Sequence, residues 1–185
     1  MANGKASAKI PITVTDGVFH TNLSGWQKDR PSAQWFVSDD GLQGIDRSDS
    51  QYVARETAGD FRYEADLQLD AEGGAGSILF RASEDGRSGY YLNVDPNLKA
   101  IRLFYKVDGK FENRQVLALI PKFIRSKQTY HIQIQAKGTR IQVDLDGERI
   151  MDVQDGTFAE GHFGVHTFGG SASFQHVNAY DMKKA

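Results

Sequence analysis

Several stretches of the chain alternate apolar and polar residues with a period of two. Phe61, Tyr63, Ala65, Leu67 and Leu69 alternate with Arg62, Glu64, Asp66 and Gln68. Ile101, Leu103, Tyr105 and Val107 alternate with Arg102, Phe104 and Lys106. Tyr130, Ile132 and Ile134 alternate with His131, Gln133 and Gln135, and Ile141, Val143 and Leu145 with Gln142 and Asp144. Successive side chains of a strand point to opposite faces, so each run predicts a half-buried strand of an antiparallel sheet. Helical periodicity is nearly absent. The best helical candidate is a short turn at residues 117–125, which Pro121 limits.

Turn chemistry supports the same reading. Asp-Gly pairs occur six times, at Asp16-Gly17, Asp40-Gly41, Asp85-Gly86, Asp108-Gly109, Asp146-Gly147 and Asp155-Gly156. Both central residues of a type I′ hairpin turn need positive φ, which Asp tolerates and Gly favours. Many strands and few helices predict a sandwich or barrel. The expected fold is all-β, a two-sheet antiparallel jelly-roll sandwich. The segment carrying Trp26 and Trp35 is expected to supply edge strands that close against a C-terminal strand at residues 171–180.

The composition bounds the rest. A chain of 185 residues, 39% hydrophobic, is one domain able to bury a substantial core. Its net charge of −2 lacks the basic footprint of a nucleic-acid binder. Zero cysteines exclude disulfides, thiolate metal sites and a cysteine nucleophile. No stretch has the length of a transmembrane helix, and residues 1–9 lack the apolar core of a secretion signal. The N-terminus fits an intracellular protein or a module from a longer secreted chain. The second is favoured, with residues 1–9 as leader or linker and 10–185 as the module.

Candidate chemistry is sparse. Glu64-Ala-Asp66-Leu-Gln68 mimics the Glu-x-Asp-x-Glu strand of sandwich glycosidases. Retaining hydrolysis needs a second carboxyl group, and Gln68 cannot exchange a catalytic proton. No phosphate loop, dinucleotide fingerprint or Gly-x-Ser-x-Gly elbow is present, and no serine triad follows from local context. No catalytic residue is expected.

Arg81 ends the apolar run Ile78-Leu79-Phe80 and is expected to point outward with Glu64. The two either form a cross-strand ion pair or grip vicinal hydroxyls, for which a guanidinium fork and a carboxylate are suited. In the run 89–95, Tyr90, Leu92 and Val94 take one face while Tyr91, Asn93 and Asp95 take the other. Tyr91 is the candidate for packing on a sugar ring. In the run 161–170, Phe163, Val165 and Thr167 point inward, leaving His166 and Phe168 to line a shallow outward pocket. His162 and His166 lack a third metal ligand. Asp155 and the Asp-Gly turns are able to supply oxygens to a structural calcium; no other cofactor is expected.

The ordered series Asp60-Phe-Arg-Tyr-Glu64-Ala-Asp66, Ile78-Leu-Phe-Arg81, Gly89-Tyr-Tyr91-Leu, Arg102-Leu-Phe104, Tyr130-His-Ile and Gly161-His-Phe-Gly164-Val resembles family 66 carbohydrate-binding modules. These are concanavalin-like sandwiches appended to bacterial fructan-degrading enzymes of the levanase type. The resemblance covers residues 10–182. It implies binding, without catalysis, of the non-reducing terminal fructose of levan or inulin, in a secreted enzyme with an appended catalytic domain. Carried over, Glu64, Arg81 and Tyr91 occupy family-like strand positions; His166 and Phe168, read from the outward face of their own run, are further candidate sugar contacts. Phe168 stands where relatives often have Trp, which suits a smaller pocket. A disaccharide hydrolase or lyase and a structural or adhesive sandwich remain the alternatives.

Overall fold

The structure is a computed structural model, described over residues 8–9, 21–38, 41–70 and 74–182. It is built from antiparallel strands, and its one helical element among these residues is a single 3-10 turn, Asn113–Gln115. One sheet comprises β3 (Gln34–Ser38), β5 (Phe61–Leu69), β10 (Thr129–Lys137), β11 (Arg140–Leu145) and β12 (Glu148–Gln154). The other comprises β2 (Gln27–Lys28), β6 (Ala75–Ala82), β7 (Gly89–Asp95), β8 (Ala100–Lys106) and β9 (Val116–Pro121).

Two long strands, β4 (Gly41–Ala58) and β13 (Gly161–Asp181), belong to both sheets. The first half of β13 pairs with β6 and its second half with β5, while β4 runs beside both halves. The first sheet therefore runs β12-β11-β10-β5-β13-β4-β3, and the second runs β9-β8-β7-β6-β13-β4-β2. A short β1 (Ala8–Lys9) pairs with the end of β13.

The alternation in the sequence maps onto this architecture. Along β5 every second residue is buried, from Phe61 to Leu69. These side chains meet Ile78, Phe80, Tyr90, Leu92, Ile101 and Leu103 of the opposite sheet in one core. Phe163 sits at the centre, edge-on to Phe61 and Tyr63 at 4.9 and 5.0 Å between ring centroids. Two of the Asp-Gly pairs form two-residue hairpins with positive φ at both positions: Asp108-Gly109 after β8, and Asp146-Gly147 between β11 and β12. Asp16-Gly17 and Asp40 lie outside the described residues.

One expectation is corrected and a second is refined. Residues 117–125 do not form a helical turn. Residues 116–121 instead form edge strand β9, with Pro121 at its end, where its missing N–H costs no ladder bond. The Trp26 and Trp35 segment pairs chiefly with β4, through β2 and β3, and meets 171–180 through the Thr21–Val177 bridge, the Asn22–Ala179 hydrogen bonds and the Trp35 ring on Phe174. Both indoles pack on Tyr52 of β4, at 5.3 and 5.2 Å.

Candidate functional site

β6 and β7 are buried along their whole length, on both faces. Their inward residues are covered by the core, so something else must cover the outer face. Part of the cover is the turn at residues 83–88. Gly86, at φ +70°, lets this turn lie flat on the sheet, where a Cβ would fall 2.8 Å from the Gln51 Cβ and 2.9 Å from Val53. The Tyr91 hydroxyl donates to the Gly86 carbonyl at 2.5 Å and fastens the turn down. Beneath it, Tyr91 stacks on Phe104 at 5.3 Å, and Leu79 and Ala82 complete a small second apolar cluster.

Next to that cluster a polar row crosses the sheet. Gln51 of β4, His166 of β13, Ser77 of β6, Asn93 of β7 and Arg102 of β8 are successive register partners. One direction of donation satisfies the whole row. Arg102 donates to Asn93 Oδ1 at 3.0 Å, and Asn93 Nδ2 donates to Ser77 Oγ at 3.0 Å. The Ser77 hydroxyl then donates to His166 Nδ1 at 2.9 Å, and His166 Nε2–H donates to Asp49. Lys106 Nζ holds the same carboxylate from the other side at 2.6 Å. This pattern requires a neutral His166 protonated at Nε2.

The electrostatics agree. Burial, the largest effect, opposes protonation of His166 and outweighs the attraction of Asp49, so the ring is held below its ordinary pKa. Burial alone would raise the Asp49 carboxyl. The His166 hydrogen bond and the Lys106 charge outweigh it and hold Asp49 well below the usual carboxylate range. At the other end of the row, Arg102 lies 3.8 Å from Asp95 and over the rings of Phe104 and Phe111 at 5.0 and 5.6 Å. The row thus ends in two ion pairs, Asp49–Lys106 and Asp95–Arg102.

Exposure shows where a ligand can touch. Ser77 and Tyr91 are fully buried, and His166 is 3% exposed. The accessible groups are the Asp49 carboxylate, 37% exposed, and Phe168, its register partner on β13, 50% exposed. Phe111, 36% exposed, packs on Phe104 and against Arg102 at the other end of the row. Fixed acceptors and donors beside an exposed ring suit a neutral, hydroxyl-bearing ring with apolar C–H faces.

Of the residues singled out from the sequence, this face unites Tyr91, His166 and Phe168. Tyr91 and His166 meet edge to face at 5.3 Å, beneath the surface and not on it. Glu64 lies on the outer face of the other sheet, paired in register with Gln133 and Asn178. Arg81 is corrected: it does not point into solvent and forms no ion pair with Glu64. It is 2% exposed, at φ +47°, and its guanidinium donates to the carbonyls of Gly59, Gly138 and Phe158 at 2.8–3.0 Å. Those contacts tie three loops together at one end of the sandwich. Asp155, the candidate calcium ligand, accepts from the Tyr90 hydroxyl and the Thr157 N–H. Among the described residues no group of three or more His, Cys, Asp or Glu is placed to hold a metal ion.

Sequence reasoning missed Asp49, Lys106, Ser77 and Arg102. Asp49 sits in the polar run Asp46-Arg47-Ser48-Asp49-Ser50-Gln51, which carries no alternation to mark it as strand. The parity argument that put Asn93 and Asp95 on the Tyr91 face does extend to Arg102 and Lys106, and was the available signal.

Comparison with known proteins places the domain. The family described as the 3-keto-alpha-glucoside-1,2-lyase-like domain matches residues 11–179. A levanase of Bacillus subtilis (strain 168) is 33% identical over 163 residues, which are 86% of this chain and 23% of the levanase. A levanase of Bacillus sp. (strain L7) is 29% identical over 98% of this chain and 20% of its own. The chain therefore spans about a quarter or less of these relatives. The solved structure of the carbohydrate-binding module CBM66 from Bacillus subtilis superposes with a TM-score of 0.82 at 30% identity, over 88% of this chain and 99% of that module. Matching fold, length and sequence together, the chain belongs to the 3-keto-alpha-glucoside-1,2-lyase-like domain family and to the family 66 carbohydrate-binding modules.

Proposed function

We propose that this domain is a non-catalytic module that binds the terminal fructose of a fructan, levan or inulin, and holds an appended exo-acting fructanase on its polymer. The observation that carries the reading is the Arg102-Asn93-Ser77-His166-Asp49-Lys106 row, which presents a rigid carboxylate beside the exposed ring of Phe168. A carboxylate already held by two donors accepts a pair of vicinal hydroxyls without reorganising. The pairing of Asp49 with Lys106 and of Asp95 with Arg102 leaves no unpaired cation in the row, which favours an uncharged sugar over a phosphate or uronate. A single exposed ring, Phe168, flanks the Asp49 carboxylate, enough to cover one sugar and not a run of them, so the site is suited to a chain end. A polymer too large to cross a membrane meets such a module outside the cell.

Contacts to a single ring in competition with water give an affinity on the order of 0.1–1 mM, or about −4 to −5.5 kcal/mol. Calorimetry on fructo-oligosaccharides of increasing length tests this. Affinity per molecule should level off at one or two sugars, and a steady rise with length would show an extended cleft instead.

An enzymatic reading draws on the lyase-like family description and on the Asp49–His166–Ser77 arrangement, which has the order of a serine triad. Ser77 Oγ is fully buried and already receives a hydrogen bond from Asn93, so no substrate carbonyl has access to it. On the other sheet, Gln68 replaces the acid of the glycosidase strand and its amide donates to the Lys127 carbonyl at 2.6 Å. The binding reading predicts no sugar release from levan, inulin or sucrose by the isolated domain on thin-layer chromatography; turnover would sink it.

A further inference from the structure

The outer face of the first sheet carries a groove of about 380 Å³, at the end where β4, β5, β10 and β13 come together. That volume lies within the roughly 300–1,000 Å³ of small-molecule sites. Unlike most such sites it has a hydrophilic lining, from Gln43, Asp66, Gln68, Asp70, Thr129 and Ser173. Its carboxylates are fixed in place. Asp70 accepts from Gln43 Nε2 at 3.1 Å, Ser171 Oγ at 3.2 Å and Ser173 Oγ at 2.5 Å. Asp66 is gripped by His131 at 2.6 Å and His176 at 2.7 Å.

The wall next to β4 depends on Gly41. At φ +116°, a Cβ there would fall 2.5 Å from the Phe174 carbonyl oxygen and 2.7 Å from Gln175. Only glycine lets β4 enter the sheet this close to β13.

We infer that this groove is a second carbohydrate site, further along β4 and β13 from Asp49 and Phe168, and that the domain binds two sugar units at once. Among the described residues the lining holds carboxylates and no lysine or arginine, which disfavours phosphates and acidic sugars. Fixed carboxylates alternating with amides and hydroxyls match the vicinal hydroxyls of a neutral sugar. A mostly polar lining gives up little apolar surface on binding, so this site is the weaker of the two. Two separate sites on one domain reach different branches of one polymer or two separate chains, and the linked binding raises avidity without raising the affinity of either site.

The ligand class rests on the sugar-binding reading above; the location does not. The test is an NMR titration of the whole ¹⁵N-labelled domain with a β-2,6-linked fructotriose. Two separate sets of amide shifts are expected, one around Asp49 and Phe168 and one around Gln43, Asp70 and Ser173. Thr129 is exposed at the start of β10, so Thr129→Trp fills the groove without disturbing the core. It should weaken the second set at least tenfold and leave the first unchanged, and Gln43→Ala should weaken the second set alone. A single set around Asp49 and Phe168, indifferent to Thr129→Trp, overturns the second site and leaves the proposed function standing. A single set in the groove overturns the Asp49 placement instead. No shifts anywhere up to high millimolar trisaccharide would defeat both.

Discussion

Arg81 shows how far burial can override an inference from parity. Its place after Ile78-Leu79-Phe80 gave it an outward side chain, yet the backbone turns into the left-handed region there and carries the guanidinium under the loops. Truncation to alanine would strand the carbonyls of Gly59, Gly138 and Phe158. A buried acceptor left without its donor costs about 1–3 kcal/mol, so Arg81→Ala should lose about 3–5 kcal/mol of stability in urea unfolding. A variant that stays fully stable but no longer binds fructan would restore Arg81 to the sugar site. Tyr91 teaches the complementary lesson. Alternation put it on the correct face, but nothing local to Gly89-Tyr-Tyr-Leu says that the 83–88 turn will cover it. The chemistry of His166 was likewise illegible, because its partners Asp49 and Ser77 lie 117 and 89 residues away along the chain.

That network carries a pH dependence. His166 is held below its ordinary pKa, so the native state binds this proton less tightly than the unfolded chain does. Its contribution to stability is complete above about pH 6.5 and is lost as the pH falls below that value. Asp49 is also depressed, and its contribution is lost in the same direction, in the more acidic range below about pH 4. A protonated His166 would also need an acceptor at Nδ1, where Ser77 now donates. The expected result is a urea midpoint that drops between pH 7 and pH 5 in the native domain, with a smaller drop in His166→Gln. Identical slopes would mean that His166 does not titrate on unfolding.

At the scale of elements, the strands that were legible are those with one wet face and one dry face. β5, β10 and β11 alternate cleanly because the face opposite the core meets water. β4 was not legible. It passes from one sheet to the other, and the residues around the crossing satisfy a network, not a core. β9 was misread because its apolar residues Val116 to Ile120 suit either period, and only pairing with β8 decides between them.

The turns make a quantitative test. Gly147 and Gly161 both have positive φ, but a Cβ on Gly147 meets nothing within 4 Å, whereas on Gly161 it falls 2.5 Å from the Arg81 carbonyl carbon. Gly147→Ala should therefore cost only the backbone strain, about 1–2 kcal/mol. Gly161→Ala must also push β13 from β6 and should cost clearly more. Equal losses in thermal unfolding would show that the close approach of β13 to Arg81 is not a constraint.

At the scale of the whole molecule, the fold class was readable because a two-sheet sandwich follows from strand count and turn chemistry. The candidate face was readable only in part. Tyr91, His166 and Phe168 fall on one face, whereas Glu64 and Arg81 belong to other parts of the molecule. The two halves of β13 explain why: the first half, with His166 and Phe168, lies in the second sheet, and the second half lies beside Glu64 in the first. Placing a residue on one outer face or the other needs that crossover, which strand patterns do not reveal.

The central claim is that the exposed end of the Asp49–His166 row is where sugar binds. Affinity electrophoresis through gels containing levan measures this most directly. The native domain should be retarded relative to a levan-free gel. Asp49→Ala and Phe168→Ala should lose most of that retardation, equivalent to at least a tenfold weaker affinity, while circular dichroism shows the fold intact. Removing the Asp49 carboxylate deletes a charge-assisted contact of about 1.5–3 kcal/mol, which sets that factor. A native domain that migrates freely through levan and inulin, or folded variants retarded as strongly as the native domain, would contradict the account.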